Sequence, residues 1–175
     1  MLIDKDAQVS ACALDFAKRM NLCTPKKLTV VRDGGKPFFQ EWSEIHFSVS
    51  HSEDIWACGI ATQTLGLDIQ RHARCNQSGI AKRFFHVAEY QHLEKNGYGD
   101  FFDIWAAKES YVKFTGSGID DEFSSFSVVK DGKLTEELKE VCFQPITLLP
   151  GYSVCICCAV KAQVHIIDVE SLVEE

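Results

Sequence analysis

Residues 105–116, WAAKESYVKFTG, predict a helix that buries one of its sides, so this chain must fold with a core packed against that side. Most of its side chains suit a core, yet Lys108 and Glu109 stand in the middle and Lys113 follows one turn later. At 3.6 residues per turn, Trp105, Glu109 and Lys113 share one face of the helix. Taken alone, the stretch is also typical of a solvent-facing Glu–Lys pair that stabilises a helix only weakly.

The rest of the chain supplies short apolar segments around this helix, which should run from about residue 101 to 114. Helical spacing predicts further helices at 6–21 and at 77–95, the latter as one or two helices. Strands are predicted at 28–32, 45–50, 55–61, 65–70, 123–130, 141–149, 152–160 and 164–169, and Pro145 is expected to place its strand at a sheet edge. This order of elements is typical of an α+β domain and not of a regular βαβ array.

Length and composition limit the class of protein. A chain of 175 residues, with 46% hydrophobic and 25% charged residues, suits one globular domain or two small packed halves. The start MLIDKDAQ lacks the features of a signal peptide, and no apolar run reaches membrane-spanning length. We therefore expect a cytoplasmic protein with no membrane partner.

The charge is acidic overall but unevenly spread. A net charge of −7 argues against nucleic acid as a partner. Residues 71–95 nevertheless carry five basic against two acidic side chains. This stretch fits an acidic protein partner, an anionic small molecule or simply a solvated helix face.

Eight cysteines are expected to be free thiols in a cytoplasmic protein. Cys155 and Cys158 form a C-x-x-C pattern inside the predicted strand YSVCICCAV, but no second ligand pair stands at zinc-site spacing. We interpret the cysteines as small buried hydrophobic side chains.

Three short segments carry polar residues suited to a phosphate or metal site. In GLDIQ, residues 66–70, Asp68 and Gln70 share one side of a strand, and a carboxylate there suits a hard cation such as Mg²⁺. In FSVSHSED, residues 47–54, Ser50 and His51 stand at a strand end where a hydroxyl, an imidazole and backbone N–H groups can bind an anion. In GGKPFF, residues 34–39, Lys36 follows two glycines that permit close approach of a ligand.

Each segment also has an ordinary interpretation. Asp68 can serve as a turn or cap residue, and Lys36 can be a plain loop lysine. A catalytic Ser50–His51 pair is disfavoured, because sequence neighbours at a strand end rarely face each other and no G-x-S-x-G motif is present.

Taken together and in order, these segments resemble the 4′-phosphopantetheinyl transferases. That family carries a G-K-P loop, an S-H-S turn, a G-x-D-x-E strand and a W-x-x-K-E-x-x-x-K helix. The chain matches them with GGKPFF, FSVSHS, GLDIQ and WAAKESYVKFTGSGI, and RFFHVAEY with its Glu89 adds to the match. The resemblance covers about residues 28–119 and is closer to the larger, two-half type that modifies carrier domains of peptide and polyketide synthases.

The resemblance implies an activity and a set of site residues. A serine of an acyl or peptidyl carrier protein would attack the β-phosphorus of coenzyme A and receive its phosphopantetheine arm. Asp68 and Glu109, with Gln70 as a third and neutral ligand, would hold Mg²⁺. Glu109 would also serve as the candidate base. The phosphates of coenzyme A would be bound by Lys36, Ser50, His51, Lys108 and Lys113.

The resemblance also implies two pseudo-symmetric α+β halves, here residues 1–62 and 63–175, with the first half abbreviated and the site between them. A monomer is expected. Two features depart from the family: Gln70 replaces a frequent third acidic ligand, and only a short helical segment precedes the G-K-P loop. They motivate an alternative, a binding module for coenzyme A or carrier proteins that has lost turnover. An unrelated metal-dependent hydrolase built on Asp68 and Glu109 ranks third, because no His-rich metal set accompanies them.

Overall fold

The computed structural model of the protein describes residues 4–118 and 121–169, and it has the mixed α+β fold that the order of sequence segments predicts. The helices are α1 (Lys5–Met20), α2 (Gln77–Phe84), α3 (Val87–Asn96) and α4 (Phe101–Thr115). The strands are β1 (Val30–Val31), β2 (Phe38–Phe39), β3 (His46–Ser52), β4 (Ile55–Ala61), β5 (Leu65–Arg71), β6 (Val129–Lys130), β7 (Lys133–Leu134), β8 (Glu137–Leu138), β9 (Val141–Ile146) and β10 (Tyr152–Cys158). Within this described part, no helix has the length and apolar character needed to cross a membrane.

The largest sheet is antiparallel and has the order β5-β10-β9-β8. Helix α4 packs on the face of this sheet that carries Asp68 and Cys155, which are cross-strand partners. The prediction that the strand of Pro145 lies at a sheet edge was wrong for the strand as a whole, because β9 lies between β10 and β8. Strand β8 pairs only with Val141 and Cys142, so no described strand pairs with β9 beside Pro145 on that side.

Three hydrophobic cores support the fold. In the first, α1 packs with Val9, Ala13 and Ala17 against Phe39 and Phe47 of the β1–β2 and β3–β4 hairpins. The second lies beneath α4 and is built mainly from aromatic and aliphatic side chains of α2, α4, β9, β10 and the segment between α4 and β6. These two cores lie on either side of residue 62, whereas the third, formed by Leu67, Ile69 and Val154, also packs with Ile55 and Ala57. A division of the chain at residue 62 remains a prediction.

Two predicted strands were wrong. Residues 123–130 were expected to be extended, but they begin in a 3₁₀ turn at Asp121–Ser124, and only Val129–Lys130 forms a strand. Phe123, Phe126 and Val128 are all buried, and this spacing requires a backbone that turns instead of alternating. Residues 161–168 contain no regular structure. The side-chain amides of Gln63 and Gln144 hydrogen-bond to the backbone at positions 160 and 162, around the start of this segment.

The cysteines are free, as predicted, but not all are buried. Cys23 and Cys75 are exposed. Cys155 belongs to the core beneath α4, whereas the thiol of Cys158 donates to Gln144 on the other face of the sheet. Residues three apart in a strand point to opposite faces, so this C-x-x-C pattern does not form a chelating pair.

Candidate functional site

The candidate site lies where α4 crosses β5. Gly66 has no Cβ atom and so allows the backbones of the helix and the strand to approach closely. A Cβ atom on Gly66 would lie 1.9 Å from the carbonyl oxygen of Ser110 and 2.5 Å from the backbone nitrogen of Phe114. Both are main-chain atoms of α4, so the helix backbone rests directly on the strand. This contact places the face of α4 that carries Glu109 and Lys113 beside Asp68 on β5.

Asp68 is the buried centre of the site, with 5% of its surface exposed. Its Oδ1 accepts hydrogen bonds from Lys113 Nζ at 2.7 Å and from Ser50 Oγ at 2.7 Å. Burial raises the pKa of the carboxyl, while the ammonium of Lys113 and the hydroxyl of Ser50 act to lower it. Its other oxygen, Oδ2, is buried and has no hydrogen-bond partner among the described residues.

Glu109 is the second carboxyl group of the site and is 8% exposed. Its pKa is raised to about 7, first by burial and then by the negative charge of Asp68, while Lys113 opposes both effects. Two neighbouring carboxyl groups that repel each other, one with a bare buried oxygen, form an arrangement that a bound cation would stabilise.

This donor set fits Mg²⁺, which commonly uses one or two carboxylates and takes its remaining ligands from water and substrate phosphates. Gln70 is half-buried and its Nε2 donates to the backbone carbonyl of Arg71, and among the described residues no hydrogen bond joins its side chain to Asp68. Among the described residues, no group of three or more His, Cys, Asp or Glu side chains could hold a metal. The protein residues that fit the ion are therefore Asp68 and Glu109.

Three serines of β3 join the first core to the site, a role that sequence analysis missed. Their hydroxyl groups accept hydrogen bonds from alternate backbone N–H groups along β5, in the pairs Ser48 with Leu67, Ser50 with Ile69, and Ser52 with Arg71. The signal is the S-x-S-x-S pattern within FSVSHS, which places three hydroxyls on one side of a strand. Ser50 therefore faces the seam between β3 and β5, while His51 is exposed.

Lys36 reaches the site region from the loop before β2. Its ammonium donates to the backbone carbonyl of Leu65, at the start of β5, and lies 5.9 Å from the ring centre of Phe114. Burial lowers its pKa to about 8. The structure thus brings Lys36 to the C-terminal end of α4, next to Gly116.

Lys108 is not available to a ligand, contrary to the expectation that it contacts a phosphate. Its side chain is 0% exposed, and Nζ lies 2.9 Å from Glu89 Oε2 and 2.7 Å from the carbonyl of Phe126. The ring centre of Phe126 is 3.9 Å from the same ammonium. Lys108 points into the core because it is one position, about 100° of helix rotation, away from Glu109.

The contacts of Glu89 explain how the buried charge of Lys108 is tolerated. Besides Lys108, its carboxylate accepts the backbone N–H groups of Val128 at 2.7 Å and of His86 at 2.9 Å. A buried charge persists only when it is paired and hydrogen-bonded. The R-F-F…E segment was informative in sequence, but the reason is structural: Glu89 ties α3, α4 and the β6 segment together.

The raised pKa of Glu109 predicts a pH-dependent stability. The folded pKa of about 7 exceeds the ordinary 4.5, so the group contributes stability that is complete below 4.5 and is lost as pH rises through 7. We expect the free energy of unfolding of metal-free protein to fall by on the order of 2 kcal/mol between pH 5 and 8, relative to Glu109→Gln. Urea titrations of both proteins in chelator measure this difference. Parallel pH profiles would contradict it.

Comparison of the sequence with known proteins shows which family has the same segments. The model of the 4′-phosphopantetheinyl transferase superfamily matches residues 64–161, the segment that contains β5, α4 and both carboxyl groups. The chain is 33% identical over 147 residues to the 4′-phosphopantetheinyl transferase gsp of Aneurinibacillus migulanus. The aligned region covers 79% of this chain and 60% of gsp. It is 34% identical over 135 residues to the 4′-phosphopantetheinyl transferase Sfp of Bacillus subtilis, covering 71% of this chain and 60% of Sfp.

The chain therefore spans about 60% of the length of these curated relatives. The family match covers more than half of the chain and includes the whole crossing of β5 and α4. From this match and these identities, the protein belongs to the 4′-phosphopantetheinyl transferase superfamily.

Proposed function

We propose that this protein transfers the 4′-phosphopantetheine arm of coenzyme A to a serine of an acyl or peptidyl carrier protein, with Mg²⁺ as cofactor, and works as a cytoplasmic monomer. One observation carries the proposal. In a member of this superfamily, Asp68 and Glu109 meet at a buried crossing, with Lys113 beside them and Asp68 Oδ2 unsatisfied. The relatives gsp and Sfp are named as 4′-phosphopantetheinyl transferases.

The proposed reaction defines what the site must do. The serine oxygen forms a bond to the β-phosphorus of coenzyme A, the bond from that phosphorus to the bridging oxygen breaks, and 3′,5′-adenosine bisphosphate leaves. Such a step needs in-line positioning, neutralisation of phosphate charge and an acceptor for the serine proton. Bound Mg²⁺ would supply part of the neutralisation, and Asp68 and Glu109 are the residues that would hold it.

Glu109 and Lys113 suit the remaining tasks. By the family resemblance, Glu109 is also our candidate acceptor of the serine proton, directly or through a water. The Lys113 side chain is 29% exposed, so its ammonium can contact a phosphate while it stays beside Asp68. Lys36 and the exposed His51 are our candidates for contacts to coenzyme A from the first core.

The carrier protein would dock on the basic stretch 71–95. Arg71, Arg74, Lys82 and Arg83 are exposed there, and Val87 is 62% exposed. An acidic carrier would be steered to these charges, and Val87 could supply an apolar contact.

The alternative, a binding module without turnover, is favoured by one observation: a neutral Gln70, whose amide donates to the backbone of Arg71, replaces a frequent third acidic ligand. If it is correct, coenzyme A or a carrier protein should bind but no transfer should follow. Gln70→Glu should then restore charge to the donor set and raise metal affinity or activity.

Intact-mass analysis of several carrier proteins, incubated with this protein, Mg²⁺ and coenzyme A, tests the proposal. We expect a phosphopantetheine-sized mass gain on the carrier serine. Asp68→Asn should reduce the rate of this transfer by roughly 10²–10³-fold. Asp54→Asn, an exposed aspartate in the β3–β4 turn, is the matched control and should retain transfer. Measurable binding of coenzyme A without mass gain on any carrier would favour the binding module.

A further inference from the structure

The seam between β3 and β5 has an unusual composition. Strand β3 pairs with β4 through its backbone, and it meets β5 through serine hydroxyl groups. The donor–acceptor distances are 2.9 Å for Ser48, 3.3 Å for Ser50 and 2.9 Å for Ser52. All three serines are buried, so each hydroxyl satisfies a backbone N–H that would otherwise lack a partner there.

Ser50 differs from its two neighbours because its hydroxyl makes two further hydrogen bonds. It donates to Asp68 Oδ1 at 2.7 Å and accepts from Lys113 Nζ at 2.8 Å. A serine hydroxyl has one donor and two acceptor lone pairs. The bonds to Ile69, Lys113 and Asp68 use all three, which leaves Ser50 no free hydrogen-bonding capacity for an anionic ligand.

We infer that Ser50 is a positioning residue for Asp68 and Lys113, and not a contact to the phosphates of coenzyme A. The inference rests on the proposed function and deepens it. Ser50 and Lys113 together satisfy Oδ1 of Asp68, so Oδ2 is the oxygen left for a cation. Ser50 also links this carboxyl to the backbone of its own strand at Ile69, which limits rotation of both partners.

The local geometry supports this assignment over ligand binding. Ser50 is 6% exposed, whereas the adjacent His51 is exposed. To contact a phosphate, Ser50 would have to release Asp68 or a backbone N–H in a buried place, and an unsatisfied buried polar group costs about 1–3 kcal/mol. Residues that orient metal ligands typically change metal affinity or activity by about 10–100-fold when they are replaced.

The seam offers a matched control for the experiment. Ser50→Ala and Ser48→Ala each remove one hydroxyl that accepts an N–H of β5, but only Ser50→Ala also removes the contacts to Asp68 and Lys113. Ser50→Thr keeps the hydroxyl and tests rescue. If Ser50→Ala fails to fold by urea denaturation, Ser50→Cys, which keeps the side-chain volume, takes its place.

Three quantities are measured on each variant of the full chain: the dissociation constant for Mn²⁺ by electron paramagnetic resonance, the KM for coenzyme A, and kcat. We expect Ser50→Ala to weaken Mn²⁺ binding about 10-fold and to lower kcat by about 10-fold or more, with KM for coenzyme A within about twofold of the parent. Ser48→Ala should match the parent in all three, and Ser50→Thr should recover most of the loss.

Two results would overturn the inference. A rise in KM for coenzyme A with unchanged Mn²⁺ affinity would make Ser50 a substrate contact. Equal effects of Ser50→Ala and Ser48→Ala would make its role purely structural. If the parent protein transfers nothing to any carrier, the proposed function fails, but the Mn²⁺ comparison still decides whether Ser50 positions Asp68.

Discussion

Gly66→Ala is expected to reduce phosphopantetheine transfer by about 100-fold and to destabilise the fold. The new Cβ would lie 1.9 Å from the Ser110 carbonyl oxygen, so α4 must move away from β5. Overpacking of this kind costs about 1–3 kcal/mol or more. Because α4 carries Glu109 and Lys113 while Asp68 stays on β5, the same shift separates the site residues. A misplacement of about 1 Å can cost about 10² in rate.

Gly59→Ala is the control for this prediction. A Cβ there would lie 2.7 Å from Cδ1 of Leu65, the end of a side chain that can rotate away, and not from backbone. Transfer rates from intact-mass time courses and urea midpoints should therefore change little in Gly59→Ala. If Gly66→Ala retains parental transfer and stability, the close backbone contact is not what places α4.

Lys108→Met is expected to lower the free energy of unfolding by about 3–5 kcal/mol. It removes the only charged partner of Glu89 among the described residues and leaves that carboxylate 0% exposed in the core. Whole domains are stable by roughly 5–15 kcal/mol, so this loss is a large part of the total. Urea denaturation monitored by the tryptophan fluorescence of the core would measure it.

Lys95→Met, at an exposed position of α3, provides the matched loss of a lysine and should leave stability nearly unchanged. A double variant of Lys108→Met with Glu89→Gln should lose less than the sum of the two single changes, because the two side chains interact directly. Parental stability of Lys108→Met together with a raised KM for coenzyme A would instead return Lys108 to the site as a phosphate contact.

The pair Lys108 and Lys113 shows where sequence reasoning stops. Both stand in one amphipathic helix, and the family resemblance implies a phosphate contact for both. The structure separates them: Lys113 reaches Asp68, while Lys108 is buried with Glu89. The direction of each residue around α4 follows from helix geometry, but which face meets β5 depends on how the helix packs.

The serine pattern and the 123–130 segment show the same limit. The alternating serines in FSVSHS share one side of a strand, but their partner N–H groups lie on β5, 19 residues further along the chain. Residues 123–130 have the composition of a strand, yet Phe123 and Phe126 turn inward around Lys108. In both cases the deciding partner is distant in the chain.

The sequence by itself determined the α+β class, most of the helices, the strands around GLDIQ and FSVSHS, and the family resemblance with Asp68, Glu109 and Lys113 as its centre. These follow from local periodicity and from short ordered motifs. Only the tertiary structure decided that Ser50 contacts Asp68, that Gln70 does not, that Lys108 belongs to the core and that Gly66 permits the crossing of α4 and β5. Such assignments depend on contacts between distant segments, which local patterns do not encode.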